Sequence, residues 1–416
     1  MTALKALVFV VGAALLGTTA AQSQVDYDEV IYDQMVEQIS TKNQDLIDIR
    51  HDIHRHPELS GSEKRTSRLI ANYLDELGFT VRSGVGGYGV VGILEGGHPG
   101  PTVAFRADMD AVRSSDYDPV EFRSSTPGIR HICGHDIHTT IGLGIAEGFA
   151  TVSDDLPGTV MLLFQPAEER GTGAKSMLED GVFDHYLPDA LFAVHTAPYQ
   201  VGEIATRPGG LMAGRALVSV TVSGTGDIAA ATDIVRTAIQ ESGNVAPQAA
   251  YQVAPEGFIL VQLFPTSGLS SSGSLTIRGQ IMTAGYEDRS SAKNKILSAV
   301  ESLNLSGIDM DVTYDDGFME GVNNDAGLVE VANAAIETLA RDVTIREARG
   351  ASPVFSEDFG SFQLHVPGVM YFLGVSNSSA GTVGMPHSPD YVADDASIDI
   401  GTRVMLAAML GRMTGE

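Results

Sequence analysis

Apolar positions along this chain follow two rhythms. Between residues 26 and 59, Val30, Ile31, Met35, Val36 and Ile39 recur at the three- and four-residue spacing of an amphipathic helix. A second helix is predicted from Ser62 as its N-cap, through Leu69, Ile70, Tyr73, Leu74 and Leu77, to Gly78, which closes it. The other rhythm is continuous: short apolar runs at 102–105, 159–164, 190–194 and 369–373 alternate with helical stretches. Strands buried on both faces read this way. The runs therefore predict an α/β fold with a mixed, mainly parallel sheet flanked by helices.

The middle of the chain changes pattern. Strict alternation at 216–222 is followed by a helix at 228–240, strands at 258–264 and 274–282, a helix at 291–303 and a strand at 308–313. That β-α-β-β-α-β order predicts an inserted ferredoxin-like domain, placed at 211–319. The main domain then comprises residues 24–210 and 320–416.

Composition places these elements in a globular protein. With 416 residues, 43% hydrophobic content and no tryptophan, the chain holds two or three domain-sized units. The apolar run at 6–16 follows Lys5 and leads into small residues, the order of a signal peptide over 1–23. It is short for a bilayer span. An exported protein, periplasmic or secreted, beginning near Gln22 or Gln24 is expected, with an uncleaved anchor as the competing reading. The net charge of -27 argues against nucleic acid or an anionic membrane as partner and otherwise serves solubility.

Candidate chemistry is concentrated at residues 131–138, HICGHDIH, which hold three imidazoles, a carboxylate and the only cysteine. Thiolate and imidazole suit zinc and its first-row neighbours, so this density points to a metal. A lone Cys133 in an exported chain forms no intramolecular disulfide, and ligation would explain it. Polar residues also follow the predicted strands: Asp108 and Asp110, the pair Glu168 and Glu169, and His195. Open α/β sheets bind ligands at those ends. Adjacent carboxylates repel unless cations hold them, and one of the two glutamates can ligate while the other takes a proton from water. His387 stands in a constrained turn between Pro386 and Pro389. It carries no signal by itself, nor do His54, His56, His98, His185 and His365.

Six stretches together resemble a known family: HRHPEL at 54–59, RADMDA at 106–111, HICGHDIH at 131–138, FQPAEE at 164–169, SEDF at 356–359 and HSP at 387–389. The chain resembles the metal-dependent amidohydrolases that include hippurate hydrolase, auxin-conjugate hydrolases and N-acyl-amino-acid amidohydrolases, within the dinuclear aminoacylase and carboxypeptidase group. The resemblance implies two divalent ions, Mn2+ or Zn2+, ligated by Cys133, His135, Glu169, His195 and His387, with Glu168 as general base. It implies an orienting role for Asp108 behind a ligand, supporting roles for His131, Asp136 and His138, and a lid function for the inserted domain, with a homodimer possible. N-acyl amino acids or short peptides are the implied substrates. One departure stands out. The family's lid histidine is missing: residues 223–229 read SGTGDIA, and no His occurs between His195 and His365. Arg215 and Arg278 are the candidates to replace it. A homologue that retains metal and binds acyl amino acids or peptides with weak or no turnover is the alternative.

Overall fold

The computed structural model describes the backbone of residues 3–246, 256–353 and 355–415, with side chains from residue 27 onward except Asp316. An eight-stranded sheet runs from edge to edge through Thr80–Val85, Gly89–Glu95, Pro157–Gln165, His98–Asp108, Ala190–Gln200, Gly368–Ser376, Glu203–Thr206 and Thr344–Glu347. The four middle strands are mutually parallel, so their carboxyl ends share one rim. Antiparallel pairings lie outside them. The sheet is mixed and mainly parallel, as the apolar runs predict.

Period-two alternation explains why those runs look continuous. In Pro157–Gln165, Val160, Leu162 and Phe164 pack with Met35 and Ile39 of helix Ala3–Arg55, Ile137 and Ile141 of helix His135–Thr151, and Leu406 of helix Ala396–Thr414. Met161 and Leu163 face the opposite way, toward Ala174, Met177 and Phe362. The neighbours divide likewise: Phe105 and Phe192 to the first core, Ala104 and Leu191 to the second. Each large apolar side chain buried this way contributes about 1.5–3 kcal/mol.

The second predicted helix begins later than Ser62. It spans Lys64–Glu76, and Glu63 at the N-cap makes no side-chain cap bond. Instead the Glu58 carboxylate accepts from the backbone N–H groups of Arg65 and Thr66. A carboxylate answers both the unpaired donors and the positive end of the helix dipole.

A four-stranded antiparallel sheet is ordered Ile259–Leu263, Leu275–Thr283, Gly214–Gly224, Ile308–Met319. Helices Ile228–Glu241 and Tyr286–Glu301 complete the split β-α-β pattern. Two elements of this layer extend furthest past their predicted bounds. The second helix starts at Tyr286, with Glu287 and Asp288 in its first turn. The last strand runs on to Met319 because exposed Asp309, Asp311 and Asp315 alternate with half-buried Met310, Val312 and Tyr314, and those charges mask its length in the sequence. The predicted signal peptide lies outside the residues whose side chains are described. Among the described residues no helix is long and apolar enough to cross a membrane.

Candidate metal centre

Local backbone geometry aims the donors. Gly134 has a φ of 88° and precedes helix His135–Thr151. Glycine takes that conformation readily, and a Cβ here would lie 2.4 Å from the Tyr391 hydroxyl and 2.6 Å from the Thr196 side chain. The close approach brings Cys133 Sγ within 3.5 Å of His195 Nε2, on strand Ala190–Gln200. Past the end of Pro157–Gln165, Ala167 turns at a φ of 53° and sets Glu168 and Glu169 on a single 3-10 turn. His387 also has a left-handed backbone, φ 62°. Its N–H donates to Ile132 O at 2.7 Å, tying the carboxyl-terminal turn to residues 131–138, and its Nε2 lies 3.2 Å from Glu169 Oε1.

The six residues expected at the centre therefore come together, including His387, which the sequence pattern alone left unremarkable. Donor atoms of Cys133, His135 and His195 lie within 4.8 Å of one another; so do those of Cys133, Glu169 and His387, and those of His135, Glu168 and Glu169. These sets overlap, as a two-ion centre requires. Nε2 of His135 and Oε1 of Glu169 are buried without a hydrogen bond, and Glu169 Oε1 has the imidazoles of His387 and His135 near it, at 3.2 and 3.9 Å. Such atoms are destabilising unless satisfied, and a cation satisfies them. The residues present fit a divalent metal.

Electrostatics agree with that fit. Burial lowers His195 to about 4, leaving the neutral imidazole that ligates metal. Burial also opposes a proton on His135, but Asp108, Asp110 and Glu169 outweigh it and hold the ring at about 10. Acidic surroundings thus draw positive charge to this spot. Burial, then Glu169 and Glu168, push the Cys133 thiol well above its usual range, so its thiolate needs a cation beside it. Glu168 is raised by burial and by Glu357 and Glu169.

Supporting residues fix these groups. Asp110 accepts the N–H groups of Glu168 and Glu169 at 3.1 Å and the Ser60 hydroxyl at 2.6 Å, and its Oδ1 lies 3.4 Å from His135 Nδ1. Asp108 is 3.8 Å from His135 Nε2, and it binds His138 Nδ1 at 2.6 Å and Arg106 at 2.7 Å. Asp110, more than Asp108, therefore stands behind His135. His138 Nε2 takes the Thr196 N–H at 2.8 Å, so both its nitrogens are engaged. Asp136 binds Arg50 and His54, and His54 reaches on to Asp118. His54 is thus a buried strut, with His131 beside it at 6.2 Å between ring centroids. His56, His98, His185 and His365 are exposed.

Glu357 and Asp358 had no predicted role. Their donor atoms cluster with those of Glu168, and both pair with the buried Arg106 guanidinium, at 2.7 and 3.2 Å. An arginine inside an apolar strand was the available signal, because a buried cation demands acidic partners. Arg278 sits opposite Ser219 and is exposed, whereas Arg215 lines the cleft. The cleft encloses about 240 Å³ and adjoins an apolar pocket of about 430 Å³ lined by Tyr199, Leu211, Met212, Phe355 and Phe372.

The family model of peptidase family M20/M25/M40 matches residues 104–411. The chain is 34% identical over 371 residues to thermostable carboxypeptidase 2 of Saccharolobus solfataricus, covering 86% of this chain and 92% of that one. It is 32% identical over 375 residues to IAA-amino acid hydrolase ILR1-like 5 of Arabidopsis thaliana, covering 86% and 85%. A solved structure from methicillin-resistant Staphylococcus aureus, described as an aminohydrolase, superposes with a TM-score of 0.82 at 26% identity, covering 92% and 99%. The match runs from the strand that ends in Asp108 to beyond the His387 turn, and the chain belongs to peptidase family M20/M25/M40, metal-dependent hydrolases acting on amide bonds.

Proposed function

We propose that the protein is an exported amidohydrolase that cleaves the amide bond of N-acyl amino acids or short peptides. Cys133, His135, Glu169, His195 and His387 would hold two divalent ions, manganese or zinc. Bound ions of this kind supply Lewis acidity, polarising the amide carbonyl and making water a nucleophile near neutral pH. The observation that carries the reading is the position of Glu168. Its carboxylate lines the cleft, 3.7 Å from His135 Nε2, with its backbone N–H pinned by Asp110. There Glu168 accepts a proton from the attacking water and passes it to the departing amine. Burial and the neighbouring acids raise its proton affinity, which strengthens it as the base that takes a proton from water. The four-stranded layer acts as a lid, contributing Arg215 and Met319 to the cleft. The adjoining apolar pocket takes the acyl group.

Support for the substrate class comes from the relatives named as a carboxypeptidase and as an IAA-amino acid hydrolase. Support for export is the charged, apolar and small-residue order at the amino terminus. The absence of histidine between His195 and His365 favours a second reading, a metal-retaining binder with weak or no turnover. Metal analysis combined with an assay on N-acetyl amino acids, N-benzoyl amino acids and dipeptides separates the two. Hydrolysis with two equivalents of metal is expected; two equivalents with no product anywhere on the panel would establish the binder.

A further inference from the structure

Glu63 is fully buried at the N-cap of helix Lys64–Glu76, yet its side chain caps nothing there. An acceptor at that place ordinarily takes N–H groups of its own helix. Here Glu58 takes those of Arg65 and Thr66, and the Glu63 side chain turns toward Ala167 instead. Its Oε1 accepts the N–H of Gly61 and, 104 positions along the chain, that of Ala167, each at 2.8 Å. Its Oε2 is buried and makes no hydrogen bond. Ala167 is the residue that precedes the two glutamates of the centre. Among the described residues only Ala167 and His387 have a left-handed backbone without being glycine, a conformation that persists where the surroundings enforce it. The enforcement at Ala167 is explicit. Three successive N–H groups, of Ala167, Glu168 and Glu169, end on buried carboxylates, the first on Glu63 and the other two on Asp110. Successive backbone donors in a turn of this kind form a concave seat for an anion. Asp110 is in turn held by the Ser60 hydroxyl, so the loop between the first two helices supplies one of the two carboxylates and fixes the other.

We infer that Glu63 is a positioning residue of the metal centre: by fixing Ala167 it sets the turn that points Glu169 at the ion site and Glu168 into the cleft. This role rests on the hydrolase reading above and deepens it. Both hydrogen bonds fall on Oε1, so the reach of the side chain matters and its charge does not. Burial raises the proton affinity of Glu63 against the N–H groups that lower it, and a neutral acceptor is less costly to bury than an anion.

Two conservative variants separate reach from charge. Glu63→Gln keeps the acceptor oxygen and its reach, whereas Glu63→Asp keeps the charge and falls one methylene short of Ala167. Glu147→Asp shortens a different buried carboxylate, one that accepts from Tyr73 and Gln38, and serves as the comparison. Manganese affinity is read by competition with a fluorescent chelator, and kcat and KM are read with N-benzoylglycine at saturating manganese. In Glu63→Asp the affinity for manganese should fall about 10- to 100-fold, the usual loss when a group behind a metal ligand is removed, and kcat by a similar factor, with KM shifted less than about threefold. Glu63→Gln should stay within about threefold of the parent in all three quantities. Glu147→Asp should lower the melting midpoint alone. Four results would overturn the assignment: parental affinity and kcat in Glu63→Asp, Glu63→Gln as impaired as Glu63→Asp, equal losses in Glu147→Asp, or a parent that takes up no manganese. Failure of the hydrolase reading looks different. If no protein cleaves the substrate, a manganese affinity that falls in Glu63→Asp and holds in Glu63→Gln keeps the positioning role and removes the hydrolase; cleavage by the parent with Glu63→Asp unimpaired does the reverse.

Discussion

Cys133 and Glu168 line the same small cleft but answer to different measurements. Replacing Glu168 by Gln keeps the shape and removes the base, so hydrolysis should fall by about 10²–10⁴-fold, the typical worth of a positioned acid or base. Metal content should stay near that of the parent. A variant that kept its full rate would dismiss Glu168 as the base. Cys133→Ala removes the donor shared by two of the overlapping sets, so metal per chain, read by mass spectrometry, should drop. Unchanged occupancy would show that the thiol is a bystander. At this scale the sequence was informative where scarce residue types crowd together, as at 131–138. It gave Glu357 and Asp358 no role beyond their place in the SEDF stretch, because acids are common and their partner Arg106 is far away along the chain.

Elements position these residues through a few backbone positions. Gly134 combines a φ of 88° with crowding from Tyr391 and Thr196. Gly134→Ala should cost about 1–3 kcal/mol in urea unfolding, the range for a residue forced into the left-handed region, and should reduce metal occupancy as well. Stability and occupancy both equal to the parent would mean that the turn relaxes without moving Cys133. The buried strands and the β-α-β-β-α-β order were legible because periodicity reports burial. Short strands toward one edge, Glu203–Thr206 and the edge strand Thr344–Glu347, were not, since they carry few apolar residues and exist by pairing. Helix Lys64–Glu76 was placed early at Ser62 because its cap arrives from Glu58, outside the local pattern.

At the scale of the whole molecule, the rim where the middle strands end gathers the buried donors that a metal would satisfy. Ligands that satisfy buried donors stabilise the folded state by mass action, about 2.7 kcal/mol at a hundredfold excess over Kd. Chelation should therefore lower the thermal midpoint by several degrees, at about 2–4 °C per kcal/mol for a chain of this size, and readdition of metal should restore both midpoint and activity. A chelated protein that melts unchanged would argue that the centre forms without metal.

The hydrogen bond from His387 N–H to Ile132 O joins two segments separated by most of the chain, with the four-stranded layer between them. Its consequence concerns timing. During synthesis residues 131–138, the two glutamates and His195 emerge long before the turn that completes the set. A nascent or truncated chain lacks the last donor and its tether, so it should neither retain a full complement of metal nor attack amides. Hydrolytic competence is postponed until the final helix, Ala396–Thr414, has closed over the sheet.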